Sequence, residues 1–150
     1  MRTTFIALLM LAQVSCAQPQ AHKNVAAIII AEASSEGTNG MKLVAEVIQQ
    51  RMRDKGWTAL RVVTAGRRHD RAFSCLNHRT LGSLVESARR DEHYGFALRL
   101  AALVDLPQRV GTATRGATHY TRKEEKPYWA RGKKPVVVIG HHAFYRFEHY

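Results

Sequence analysis

Ile28-Ile29-Ile30-Ala31-Glu32-Ala33-Ser34-Ser35-Glu36-Gly37 is the stretch on which the reading of this chain turns. Val25 to Ala33 predicts a helix with a largely apolar surface, with Asn24 as its cap. A carboxylate placed directly after three isoleucines on such a helix needs a task or a partner. Burial disfavours the charged form of a carboxylate, so the pKa of such a Glu rises. Lifted to roughly 6–7, Glu32 would meet a leaving-group oxygen while still protonated, which is what glycosidic cleavage requires. Glu36 follows four residues on and would share its face if the helix ran that far. A Glu32 paired with one of the chain's many arginines fits the spacing equally well.

Working outward, Ser34 to Gly40 breaks the helix, and Met41 to Asp54 resumes it with Leu43, Val44, Val47, Ile48 and Met52 on one face. Gly56 is the expected stop. Thr58 caps a short helix that Gly66 closes, and residues 67–82 form a basic loop containing Ala72-Phe73-Ser74-Cys75-Leu76-Asn77. Ser83 to Leu106 is the longest helical stretch, ended by Pro107. After Gly111 the period shortens: Ala117 to Thr121 and Val136 to Phe147 read as strands, with a bend at Gly140-His141. The fold class is therefore α+β, mostly helical with a small C-terminal sheet.

The 150 residues suit one domain, and 23 Lys+Arg against 12 Asp+Glu give a net charge of +11. Such a field attracts polyanions, among them nucleic acid, anionic membranes and acidic wall polymers. Arg2, the apolar run Phe5 to Ala12 and the small residues Ser15-Cys16-Ala17 read as a secretory signal over residues 1–17. Residues 18–23 are then a polar linker and 24–150 the folded domain. Lipidation at Cys16 and retention as a signal anchor are the alternatives to cleavage. Export, to periplasm or cell wall, weakens a nucleic-acid role, for which no motif is present. Cys75 is left alone inside the domain, so no internal disulfide forms there, and it reads as a small buried hydrophobe.

A second constellation is Gly116-Ala117-Thr118-His119-Tyr120-Thr121, then Trp129, then Gly140-His141-His142-Ala143-Phe144-Tyr145. Rings, hydroxyls and imidazoles on short strands suit a sugar groove, because apolar sugar faces lie on rings while polar groups orient the hydroxyls. His119 and Tyr120 lean towards the groove and Phe144 towards the core. Eight histidines raise the question of metal, but no His-Glu-x-x-His or paired Cys-x-x-Cys spacing exists. No metal and no cofactor are called for. No Gly-x-Ser-x-Gly elbow supports a nucleophilic triad.

In order and spacing these blocks resemble the SleB/CwlJ-type cell wall hydrolase family, the spore-cortex-lytic enzymes and their relatives outside sporulation. The resemblance spans roughly residues 25–147. Ala31 to Gly37 with the helix to Arg51 resembles the family's "AEA-x-x-E" and the following helix. Phe73-Ser74-Cys75 with Asn77 resembles "FS-C-x-N", and the later blocks resemble "GATHY … W … IG-x-H-x-FY". Ser34-Ser35, Asn39 and Gln49-Gln50 depart from the usual pattern. The resemblance implies a lysozyme-like domain of the lytic-transglycosylase kind, acting between N-acetylmuramic acid and N-acetylglucosamine. It carries the acid/base onto Glu32; Glu36, the carboxylate nearest in sequence, either assists it or positions the loop and pairs with an arginine. The glycan contacts fall on Phe73, Ser74, His119, Tyr120, Trp129, His142 and Tyr145. The partner would be peptidoglycan glycan strands, met by a monomer held by its charge near an anionic wall or membrane. A bare catalytic domain behind a short signal also suits phage-driven lysis. A hydrolytic glycosidase with a second carboxylate, and a non-catalytic wall-binding module, are the competing readings.

Overall fold

The computed structural model describes residues 19–67 and 70–150. The signal reading of residues 1–17 lies outside them. Six helices and five short strands make up the described chain, helices first and the larger sheet last. Helix α1 occupies 19–33, α2 Gly37–Lys55, α3 Ala59–Thr64, α4 Cys75–His78, α5 Leu81–Ala88 and α6 Tyr94–Val104. A two-residue hairpin, β1 Gly66–Arg67 and β2 Asp70–Arg71, precedes α4. Strands β3 His119–Arg122, β4 Val137–Ile139 and β5 His142–Tyr145 form an antiparallel sheet in the order β3-β5-β4. The architecture is α+β and mostly helical, as the periodicity predicts.

Helix α1 is the centre. Val25 to Ile30 are all buried, six in succession, so the helix is enclosed on every side rather than along a stripe. Each Val or Ile so enclosed contributes about 1.5–3 kcal/mol. Met41, Val44, Ala45 and Ile48 of α2, Val62 and Val63 of α3, Leu84 of α5, and Leu100 and Val104 of α6 complete the same core. Residues 19–23, read from composition as linker, are part of α1: Gln20 donates to the Asn24 side chain and His22 meets Asp105 at 2.9 Å. Asn24 is accordingly inside the helix and not its cap.

Three further boundaries differ from expectation. The interruption after α1 is a single 3-10 turn, Ser34–Glu36, and α2 begins at Gly37 rather than Met41. The 83–106 stretch is two helices, because the Asp91 side chain accepts from the His93 N–H and turns the chain between them. That makes α2, with 19 residues, longer than either. Residues 67–82 hold α4 and part of the hairpin as well as loop. Elsewhere the local signals hold: Thr58 Oγ1 accepts from Arg61 N, and Gly56 ends α2 at φ +64°, a conformation that suits glycine.

The opposite face of α2 is buried and polar, and it organises the long irregular segment between α6 and β3. Gln49 Nε2 reaches the carbonyls of Val104, Leu106 and Gln108, while its Oε1 accepts from Val110 N at 2.9 Å. Glu46 Oε2 accepts from Thr114 N at 2.8 Å, and Arg51 Nε donates to Thr118 O at 2.6 Å. Gly111 leaves room for this grip, since a Cβ there would stand 2.1 Å from Glu46 Oε1. Each main-chain group left unpaired in such surroundings costs about 1–3 kcal/mol. Replacing Gln49 by Leu is therefore expected to lower the unfolding free energy by about 2–4 kcal/mol. Urea denaturation checks this, and a loss below about 0.5 kcal/mol would contradict the templating role.

Candidate active site

The C-terminal end of α1 emerges from the core beside the sheet, and a groove of about 990 Å³ opens there. Glu32, Ser74, Cys75, His119, Tyr120, Trp129 and His142 all border it, as does Glu36. Residues 88 apart in sequence converge on one carboxyl group. Tyr120 Oη donates to Glu32 Oε2 at 2.9 Å, and the Cys75 N–H donates to Oε1 at 3.2 Å. Glu32 is half-buried at the groove wall rather than enclosed. Its partners are a hydroxyl and an amide, and no arginine pairs with it among the described residues.

Glu36 does not share a helical face with Glu32, because the 3-10 turn intervenes. It pairs instead with His142, whose Nδ1 donates to Oε2 at 3.1 Å. The Tyr120 and His142 rings lie edge to face at 5.8 Å, so the two carboxylates are joined through neighbouring side chains. Phe73 and Tyr145 do not reach the groove. Phe73 is 2% exposed and lies 5.0 Å beneath the Arg51 guanidinium, while Tyr145 is 8% exposed and packs edge-on to Trp129. Both support residues that do. Phe144 is core, as expected.

Pattern reading missed several groove residues. Cys75 is half-buried in the groove wall, not a sealed core residue; burial and the adjacent Glu32 carboxylate raise its thiol pKa, which keeps it protonated. Burial, then Glu32, raises Tyr120 as well, so its hydroxyl stays a donor. Glu125, accepting from the Thr121 hydroxyl at 2.9 Å, is a further groove carboxylate. Tyr128, 77% exposed on a 3-10 turn beside Trp129, offers a bare ring. Arg51 was read as the end of a helix motif, yet its guanidinium bridges Thr118 O and Ala72 O under the groove. Cys75 and Arg51 lie in the quoted motifs, but no spacing rule marks Glu125 or Tyr128, whose places depend on where loops close. Among the described residues, no three of His, Cys, Asp and Glu assemble as a metal-ligand set.

His119 stands in an aromatic box of Trp129, Phe147 and Tyr150. Burial, with Arg51 and then Lys55 nearby, lowers its pKa to about 4. Thr118 Oγ1 accepts from Phe147 N and lies 3.0 Å from His119 Nδ1, the natural acceptor for the hydroxyl proton. A Thr118 hydroxyl that donates to Nδ1 places the proton of the neutral ring on Nε2.

An enclosed apolar core, a half-buried carboxyl and a ring-lined groove thus meet at the C-terminal end of α1. The chain belongs to the cell wall hydrolase family: the model described as Cell Wall Hydrolase matches residues 35–145, including Glu36 and both C-terminal blocks. Glu32 lies three residues ahead of the matched span. No curated protein and no solved structure matches. The family carries a general activity on the cell wall, with peptidoglycan as the fitting substrate and a cell-wall or exported setting. No helix among the described residues is long and apolar enough to cross a membrane.

The His119 geometry has a measurable outcome. The unfolded ring titrates near 6.5 and the folded one near 4. Between those values the unfolded state binds the extra proton, so stability falls as pH drops from about 6.5 to about 4 and is fully present above that window. Urea denaturation at pH 7 and pH 4.5 is expected to reveal a smaller acid loss in His119→Gln than in the parent. Equal losses would contradict it.

Proposed function

We propose that this domain is a lytic transglycosylase with a lysozyme-like fold, cleaving between N-acetylmuramic acid and N-acetylglucosamine with Glu32 as acid and base. The observation that carries the reading is the dual anchoring of Glu32, by Cys75 N–H on one oxygen and the Tyr120 hydroxyl on the other, at the wall of an open groove. Two donors from separate segments hold the carboxyl in one orientation, and general acid–base work needs that before anything else.

In the reaction, protonated Glu32 gives its proton to the glycosidic oxygen as the C–O bond breaks. As carboxylate it then takes the proton of the muramyl 6-hydroxyl, whose oxygen closes on C1 to form a 1,6-anhydro ring. No water is consumed, and Glu32 ends as it began. Exposed Tyr128 and half-buried Trp129 suit the apolar faces of the sugars. Neutral His119, with its Nε2 proton, suits an N-acetyl carbonyl. Hydrolysis would need a second carboxylate about 5–9.5 Å from the first. The other carboxylates bordering the groove among the described residues are engaged, Glu36 with His142 and Glu125 with Thr121. That favours the single-carboxylate route and leaves Glu36 as a positioning residue for His142. Export through a signal at 1–17 and action as a monomer complete the proposal.

Mass spectrometry of products from purified peptidoglycan tests it. Muropeptides lighter by one water than hydrolysis products, absent with Glu32→Gln, are the expected result. Ordinary reducing ends would mean hydrolysis, with Glu36 or Glu125 as the second acid. Release of nothing, alongside undiminished wall binding by Glu32→Gln, would favour a binding module. Tyr120→Phe is expected to lower kcat about tenfold to a hundredfold, with KM little changed, as loss of one hydrogen bond to a charged group requires.

A further inference from the structure

The groove is electrostatically lopsided. Four cations border it, Arg51, Lys55, Arg71 and Arg122, against Glu32, Glu36 and Glu125. Each carboxylate has a donor already: Glu32 has Tyr120 and Cys75 N, Glu36 has His142, and Glu125 has the Thr121 hydroxyl. Among the described residues none of the four cations pairs with an Asp or Glu side chain. Arg51 spends its N–H groups on the carbonyls of Thr118 and Ala72. Arg71 gives Nη1 to Thr64 O, and its buried Nε has no partner among the described residues. Lys55 meets a main-chain oxygen of Tyr150 and lies over that ring, and Arg122 is exposed at the end of β3. The main-chain carbonyls that Arg51 and Arg71 meet satisfy N–H groups but leave the guanidinium charges uncompensated. His119 feels it: Arg51 and Lys55 add to burial in holding that ring neutral.

Concave surroundings with low-dielectric walls concentrate such a field, and guanidinium groups match carboxylates in shape as well as charge. We propose that these groove cations bind carboxylates carried by the glycan strand, so that the substrate is a charged wall polymer rather than a neutral polysaccharide. This rests on the glycan-cleaving reading above. Two sources offer the same chemistry: the carboxylates of a stem peptide, and the lactyl carboxylate that a muramyl residue exposes when its peptide is removed.

The experiment measures binding in the Glu32→Gln background, so its outcome does not depend on cleavage. Four soluble strand preparations are compared: peptide-bearing, amidase-stripped, and each of these after carbodiimide coupling to a neutral amine, which masks carboxylates. Masking is expected to weaken binding about tenfold or more, the effect of losing a charge-assisted contact. An effect confined to peptide-bearing strands assigns the stem peptide, and one kept after stripping assigns the lactyl group. Adding Lys55→Gln and Arg122→Gln, neither of which lies in the buried core, should weaken binding to unmasked strands and erase most of the masking effect. Arg90→Gln with Arg109→Gln, an equal loss of charge at exposed positions outside the groove, should preserve it. Equal binding of masked and unmasked strands, or the same weakening from both double variants, overturns the proposal. Anhydro products would still stand in that case, so the two readings fail separately.

Discussion

The polar face of α2, from Glu46 to Arg51, holds in place the part of the chain that has least structure of its own. Segment 105–118 is almost without regular hydrogen bonding, yet it must deliver β3 to the groove in the correct register. Gln49, Glu46 and Arg51 do this by pairing with its main-chain groups one after another, at Leu106, Gln108, Val110, Thr114 and Thr118. A helix that is apolar on one face and a hydrogen-bonding template on the other can join an all-helical core to a small sheet. Apolar replacement would remove the partners of several buried carbonyls and amides together, and networks of this kind are costly when only partly satisfied.

From that scaffold the chemistry of the groove follows. Helix α1 is enclosed for six residues and then emerges, so Glu32 appears where the apolar packing stops. The surroundings sort the titratable groups by environment: His119 is held neutral, while Tyr120 and Cys75 are held protonated. Arg51 takes part in both halves of the arrangement, bracing β3 through Thr118 and adding to the field around His119. Burial lowers its own pKa from the usual range, and the Tyr120, Tyr150 and Glu32 side chains counter that.

Much of this was legible in the residues. The three isoleucines marked α1, Gly56 and Thr58 marked a helix end and a helix start, and the C-terminal alternation marked the sheet and its turn at Gly140. Glu32, His119, Tyr120, Trp129 and His142 were singled out and do border one groove. What failed were inferences that depend on length and depth. The stretch from Ser83 to Leu106 keeps helical composition through a turn made by one aspartate, and periodicity is blind to that. Phe73 and Tyr145 belong to the right blocks, but motifs do not distinguish a ring that touches the groove from one that supports it. Glu46, Gln49 and Gln50 look like ordinary solvated helix residues until segment 105–118 covers them.

The bond between Tyr120 and Glu32 spans 88 positions of the chain. The helical core that encloses α1 is built mostly from residues before 105, whereas the Tyr120 hydroxyl arrives with β3. Pairings of high sequence separation bear the larger loop-closure cost and form late in folding. A chain whose helices have condensed but whose sheet has not docked therefore already carries Glu32, without the hydroxyl that orients it. On the proposed reading of Glu32, completing the fold and orienting the acid are one event.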